Sequence, residues 1–144
     1  MSGGAPPESH RGIASAQAVT LFIDRDAWSH RLDEMLRAAA VPFVAHRDVF
    51  KDDAEDEDWI AAVGKSGWTI VTRDQNIRRR PNELAAVRRA SVHLFALTSG
   101  NLSATETATI VIRAWPAIQR AVASTPPPAL WSVTRTGDVR RIKS

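Results

Sequence analysis

A chain of 144 residues without cysteine has no disulfide, thiolate nucleophile or cysteine-based zinc site open to it. At this length it buries roughly 68–70% of its unfolded surface and needs no such staple. With 44% hydrophobic and 24% charged residues, it is composed like an ordinary globular protein. No apolar run nears the ~20 residues of a membrane span, and MSGGAPPESHRG lacks the apolar stretch of a secretory signal. A single cytoplasmic domain is expected. The net charge of +3 hides a division. DDAEDED at 52–58 is almost wholly acidic, whereas the chain from Arg73 onward is basic, with Arg78-Arg79-Arg80, Arg88-Arg89 and Arg140-Arg141. An acidic focus beside an arginine-rich surface suits a metal-dependent enzyme working on a polyanion.

In chain order, residues 1–17 are Gly/Pro/Ser-rich and aperiodic, so a disordered tail is expected, followed by one domain over 18–144. Val19 to Ile23 is a continuous apolar run, the mark of a strand covered on both faces. Asp24-Arg25-Asp26 turns the chain. Trp28, Leu32, Met35, Leu36 and Ala39 then recur at helical spacing to about Ala40, before Pro42. Phe43–Ala45 is a short strand and 47–55 a polar loop. A helix opens at Asp56, buries Trp59, Ile60 and Val63, and ends at Gly64 and Gly67.

Trp68 to Thr72 is the third strand and 75–80 a basic loop. Pro81 fits the first turn of a helix that turns Leu84 and Val87 inward. Val92 to Leu97 is the fourth strand. Ser103 with Glu106 forms a capping-box pattern heading the longest helix, which Pro116 is expected to kink and Pro126-Pro127-Pro128 to end. Leu130 to Thr134 and Val139 to Ile142 flank a Gly137-Asp138 turn. This alternation predicts an α/β fold, a mainly parallel central sheet flanked by helices.

Parallel α/β sheets bind ligands beyond the carboxyl ends of their strands. Asp24 and Asp74 follow strands directly, and Asp56 heads a helix that starts on the same edge. Each alone is explained by a cap or a turn. Together they form a set of carboxylates of the kind that hard divalent ions bind. His30, His46 and His93 show no ligand spacing and are expected to be structural. The five tryptophans read mostly as core, with Trp68 or Trp131 able to stack a base if exposed.

The wording around these acids carries a resemblance. Asp56-Glu57-Asp58-Trp59-Ile60-Ala61-Ala62, Gly67, and Trp68-Thr69-Ile70-Val71-Thr72-Arg73-Asp74 are similar to the C-terminal half of the PIN-domain nuclease signature. The strand ending in Asp24 resembles that family's first motif. The nearest likeness is to compact PIN-like domains related to VapC-type toxins, over roughly residues 19–134. The resemblance implies a metal-dependent endoribonuclease in which Asp24, Asp56 and Asp74 hold Mg²⁺ or Mn²⁺, with Asp26 as a further candidate ligand. Thr72 would support the site through its hydroxyl, and Arg73, Arg78, Arg79 and Arg80 would hold RNA phosphates. It further implies a cognate antitoxin and a homodimer. Longer PIN domains add a glutamate from a helix between the positions matching Asp24 and Asp56. Here no clear equivalent appears: Asp26 is the nearest candidate and Glu57 the next, while Glu34 lies about two turns into the first helix. The alternatives are a catalytically weak module that binds RNA or protein, and a phosphatase of the haloacid-dehalogenase type from Asp24-x-Asp26. The latter lacks a well-placed lysine, since the three in the chain are Lys51, Lys65 and Lys143.

Overall fold

The computed structural model describes residues 19–74 and 76–143. The tail expected over 1–17 lies outside the described residues. Twelve elements follow in order. They are β1 (Leu21–Ile23), α1 (His30–Ala38), β2 (Phe43–Ala45), α2 (His46–Val49), α3 (Asp56–Ser66), β3 (Thr69–Thr72) and a 3₁₀ turn (Ile77–Arg79). After these come α4 (Pro81–Ala90), β4 (His93–Leu97), α5 (Ala104–Ser124), β5 (Ala129–Val133) and β6 (Val139–Ile142).

The strands form one six-stranded sheet in the order β2-β1-β3-β4-β5-β6. β1 to β5 run parallel and β6 is antiparallel to β5. β1, β3 and β4 are buried at every position, so helices on both faces must cover them. On one face α1 and α5 pack over Leu21, Ile23, Val71, Phe95, Leu97 and Trp131. On the other α3 and α4 pack over Phe22, Ile70, Leu94 and Ala96.

Several element boundaries differ from those expected. Trp28 precedes α1, because the Ser29 hydroxyl accepts from the Leu32 amide at 3.0 Å and starts the helix there. The loop expected over 47–55 begins with the single helical turn of α2. Gly64 does not end α3. The helix continues to Ser66, and Gly67 closes it in the left-handed region at φ 73°. Gly64 is instead where the two helices touch, since a Cβ there would lie 2.6 Å from the Ala90 carbonyl oxygen. α5 runs helical through Pro116. No described helix is long and apolar enough to cross a membrane.

Candidate carboxylate site

β1 lies between β2 and β3, so the connections leave it in opposite directions at the β1/β3 boundary. Such a switch point opens a crevice at the carboxyl ends of the strands. Ile23 pairs with Val71 across this boundary, which sets Asp24, one residue past β1, beside Thr72 and Asp74. The Asp24 amide extends the ladder by donating to the Val71 carbonyl at 3.0 Å.

Thr72 is the junction of the two strands. Its buried hydroxyl donates to Asp24 Oδ2 at 3.0 Å and accepts from the Asp74 amide at 3.1 Å. Asp74 folds its own turn, accepting from the Asn76 amide at 2.9 Å, and its other oxygen pairs with Arg80 Nε. Asp56 is the first residue of α3 and not its cap. That place is taken by Glu55, whose side chain makes no capping bond. The Asp56 carboxylate instead accepts from Trp59 Nε1 at 2.9 Å and lies 3.8 Å from Arg25. Trp59 is itself fixed, with Phe22 stacked on it at 5.4 Å and His46 edge-on at 5.6 Å. Buried aromatic packing therefore aims one carboxylate of the edge.

A fourth carboxylate completes the group, and it was not expected. Glu83, in the first turn of α4, is half-buried and 3.9 Å from Arg80. Burial, then the negative charges of Asp56, Asp74 and Asp24, push its carboxyl up to about 7, against the opposing pull of Arg80. Asp24 is pushed up to about 6, first by burial and then by Asp26, against the hydrogen bond from Thr72. A glutamate in the first turn of a helix leaving the same sheet edge was legible by the reasoning that found Asp56. The family resemblance points to an acid between the positions of Asp24 and Asp56, and Glu83 lies beyond both.

The three predicted aspartates thus stand around Glu83 within electrostatic reach. Among the described residues, however, no three His, Cys, Asp or Glu side chains are gathered closely enough to hold a metal ion. Two guanidinium groups stand among them, Arg25 against Asp56 and Arg80 against Asp74 and Glu83. Arg25 also donates to the Asp52 carbonyl. The donor set itself is all carboxylate oxygen, as hard divalent ions prefer.

The remaining predicted residues are placed as follows. Asp26 is exposed and faces Asp24 only through space. Arg73 donates to the Leu102 carbonyl at 3.2 Å, tying the strand end to the loop before α5. Arg79 is exposed on the 3₁₀ turn, and the Arg78 side chain lies outside the described residues. His46 is fully buried among Phe22, Phe50 and Trp59, neither ring nitrogen hydrogen-bonded to any described residue, and burial holds its pKa below the usual value. Trp68 is stacked on Phe22, and Trp131 is 8% exposed, stacked on Phe95 and bonded to His93, so Trp131 offers no free face to a base.

No curated protein and no solved structure matches the chain. A family model described as a PIN like domain matches residues 19–99, more than half of the chain. The match runs from β1 through β4, so it takes in Asp24, Asp56, Thr72, Asp74 and Glu83 and leaves out α5, β5 and β6. The chain belongs to the PIN-like domain family, whose members are commonly nucleases.

Proposed function

We propose that this protein is a metal-dependent endoribonuclease of the PIN type, with Asp24, Asp56, Asp74 and Glu83 holding Mg²⁺ or Mn²⁺. The observation that carries the reading is the gathering of four carboxylates at one carboxyl edge of the parallel sheet, Asp24 joined to Asp74 through Thr72 and Asp56 and Glu83 in the first turns of α3 and α4; burial raises two of them, Asp24 and Glu83. Carboxylates buried together repel, and a bound cation relieves that repulsion. When bound, a divalent ion supplies an activated water and charge stabilisation at the phosphate.

The chain's own residues do the rest. Thr72 keeps the Asp24 carboxylate and the Asp74 backbone in fixed relation, and Trp59 does the same for the Asp56 carboxylate. Arg25 and Arg80 pair with the edge carboxylates, and with a divalent ion held there they would be released to RNA phosphates, together with Arg73, Arg78 and Arg79. The resemblance to VapC-type toxins supports a cytoplasmic role as the toxin of a toxin–antitoxin pair, held by a cognate antitoxin and acting as a homodimer.

The test is cleavage of end-labelled RNA with Mn²⁺ or Mg²⁺ by wild type, Asp24→Asn and Glu83→Gln. Wild-type cleavage that stops with chelator, and falls at least a hundredfold in each variant, is the expected result. Cleavage unaffected by chelator overturns the metal reading.

A second reading has its own observation. The arginine-paired carboxylates, with no three of the described ligand-type side chains gathered for an ion, suit a module that binds RNA or protein without cutting. RNA binding with no cleavage at millimolar metal selects it.

A further inference from the structure

The α3/α4 face of the sheet is covered unevenly. α3 and α4 reach β1, β3 and β4, but beside α4 the β5–β6 hairpin is lined by two cavities of about 530 and 570 Å³. They meet at Arg141, Ile142 and Lys143, which line both. One opens toward the carboxylate edge, at Ile77, Thr98 and Ser132. The other reaches the opposite end of the sheet, at Arg88 and Pro128. The two cavities thus adjoin along the second half of β6, and one of them includes Ile77, three residues past Asp74 in sequence.

The lining has a definite chemistry. Its floor is apolar, from Leu84, Val87, Leu130 and Ile142. Among the described residues its charged side chains are all cationic, and no acid lines either cavity. Arg141 is held over the Trp131 ring at 5.6 Å, leaving exposed Arg88, Arg140 and Lys143 as the groove's cations. Arg140 alternates onto the same face of β6 as Ile142, and Lys143, just past the strand, lines both cavities.

We infer that this groove binds a single-stranded RNA segment, phosphates on Arg88, Arg140 and Lys143 and bases against the apolar floor, and feeds that strand to the carboxylate edge. The inference rests on the nuclease reading for the identity of the polyanion. A positively charged groove that tracks the backbone is one part of the general form of single-strand recognition, and here the bases meet an aliphatic floor in place of stacking aromatics. Continuity with the edge where a phosphodiester would be cut favours RNA over an acidic protein segment. These groove cations other than Arg88 lie outside the part of the chain that matches the family.

The test is anisotropy of a labelled oligouridylate, with chelator present, across a salt series. Wild type is compared with the Arg88→Ala/Arg140→Ala/Lys143→Ala variant and with Arg120→Ala on α5, the opposite face. Each phosphate contact on a single strand contributes about 0.7 to the slope of log affinity against log salt. The triple variant is expected to bind more weakly with a slope shallower by about 2, Arg120→Ala to match wild type, and Arg88→Lys/Arg140→Lys to retain binding. An unchanged slope in the triple variant overturns the proposal. So does polyglutamate that displaces the RNA at equal charge, which assigns the groove to an acidic protein. Cleavage is scored separately with Mn²⁺: RNA held through these cations but left uncut retires the nuclease reading and supports the groove.

Discussion

The two faces of the sheet are built to different ends. On the α1/α5 face, a helix of 21 residues crosses the sheet under a complete capping box, over a continuous core from Val19 to Val133. On the other, two helices of 11 and 10 residues meet at Gly64, present Asp56 and Glu83 at their N-termini, and leave β5–β6 grooved. The closed face carries apolar burial. The open face puts half-buried charge and cavities on the same core, where they cost stability. Helix N-termini favour nearby carboxylates, which helps the open face hold four of them at one edge.

Substitutions that break this contrast rank by how much packing they remove. Phe95 is fully buried and stacked on Trp131 at 5.6 Å on the closed face. Phe95→Ala is expected to cost about 3–5 kcal/mol, measured by urea denaturation. Next comes the seam of the open face. Gly64→Val drives a side chain into Ala90 and is expected to cost about 1–3 kcal/mol. It should also displace the N-termini of α3 and α4, so RNA cleavage should fall more than stability alone explains.

The charged edge makes a prediction with a sign. Asp24 and Glu83 have folded-state pKa values of about 6 and about 7, above their ordinary 3.8 and 4.5. These two groups therefore bind protons more tightly in the folded protein, and the stability they contribute falls as pH rises from about 4 to 7. Buried His46 and His93, whose pKa values are lowered, act in the opposite sense, so the carboxyl contribution is read, in chelator, as the difference between wild type and a variant. Asp24→Asn should flatten that dependence and raise stability at pH 7.5 by roughly 1–3 kcal/mol. An Asp24→Asn variant whose pH dependence runs parallel to that of wild type contradicts the assignment. Ser103→Ala, which removes half of the capping box on the closed face, should cost about 1 kcal/mol and leave the pH profile unchanged.

Much of the fold was legible because burial on both faces leaves strands with continuous apolar runs, as in Leu21–Ile23 and His93–Leu97. The capping box at Ser103 and Glu106 was readable from two residues for the same reason, since its chemistry is local. Gly64 was misread because a glycine that ends a helix and one that admits a neighbouring helix look alike until the neighbour is in place. Asp24, Asp56 and Asp74 could be placed at one edge from topology alone. What could not be read was how they are occupied. The Trp59 bond, the Arg25 and Arg80 pairs and the intrusion of Glu83 all depend on side-chain directions across separate elements. Arg80, expected from its place in a basic run to meet RNA phosphates, also pairs with Asp74 and Glu83, which the run does not reveal.

Calorimetry of Mn²⁺ binding to wild type, Glu83→Gln and Arg80→Ala tests the central claim most directly. The account predicts that wild type binds, that Glu83→Gln binds at least tenfold more weakly, and that Arg80→Ala binds more tightly because a competing cation has been removed from Asp74 and Glu83. Wild type that takes up no Mn²⁺ at millimolar concentration, with Arg80→Ala equally inert, would mean that the arginines are the only cations this edge was built to hold.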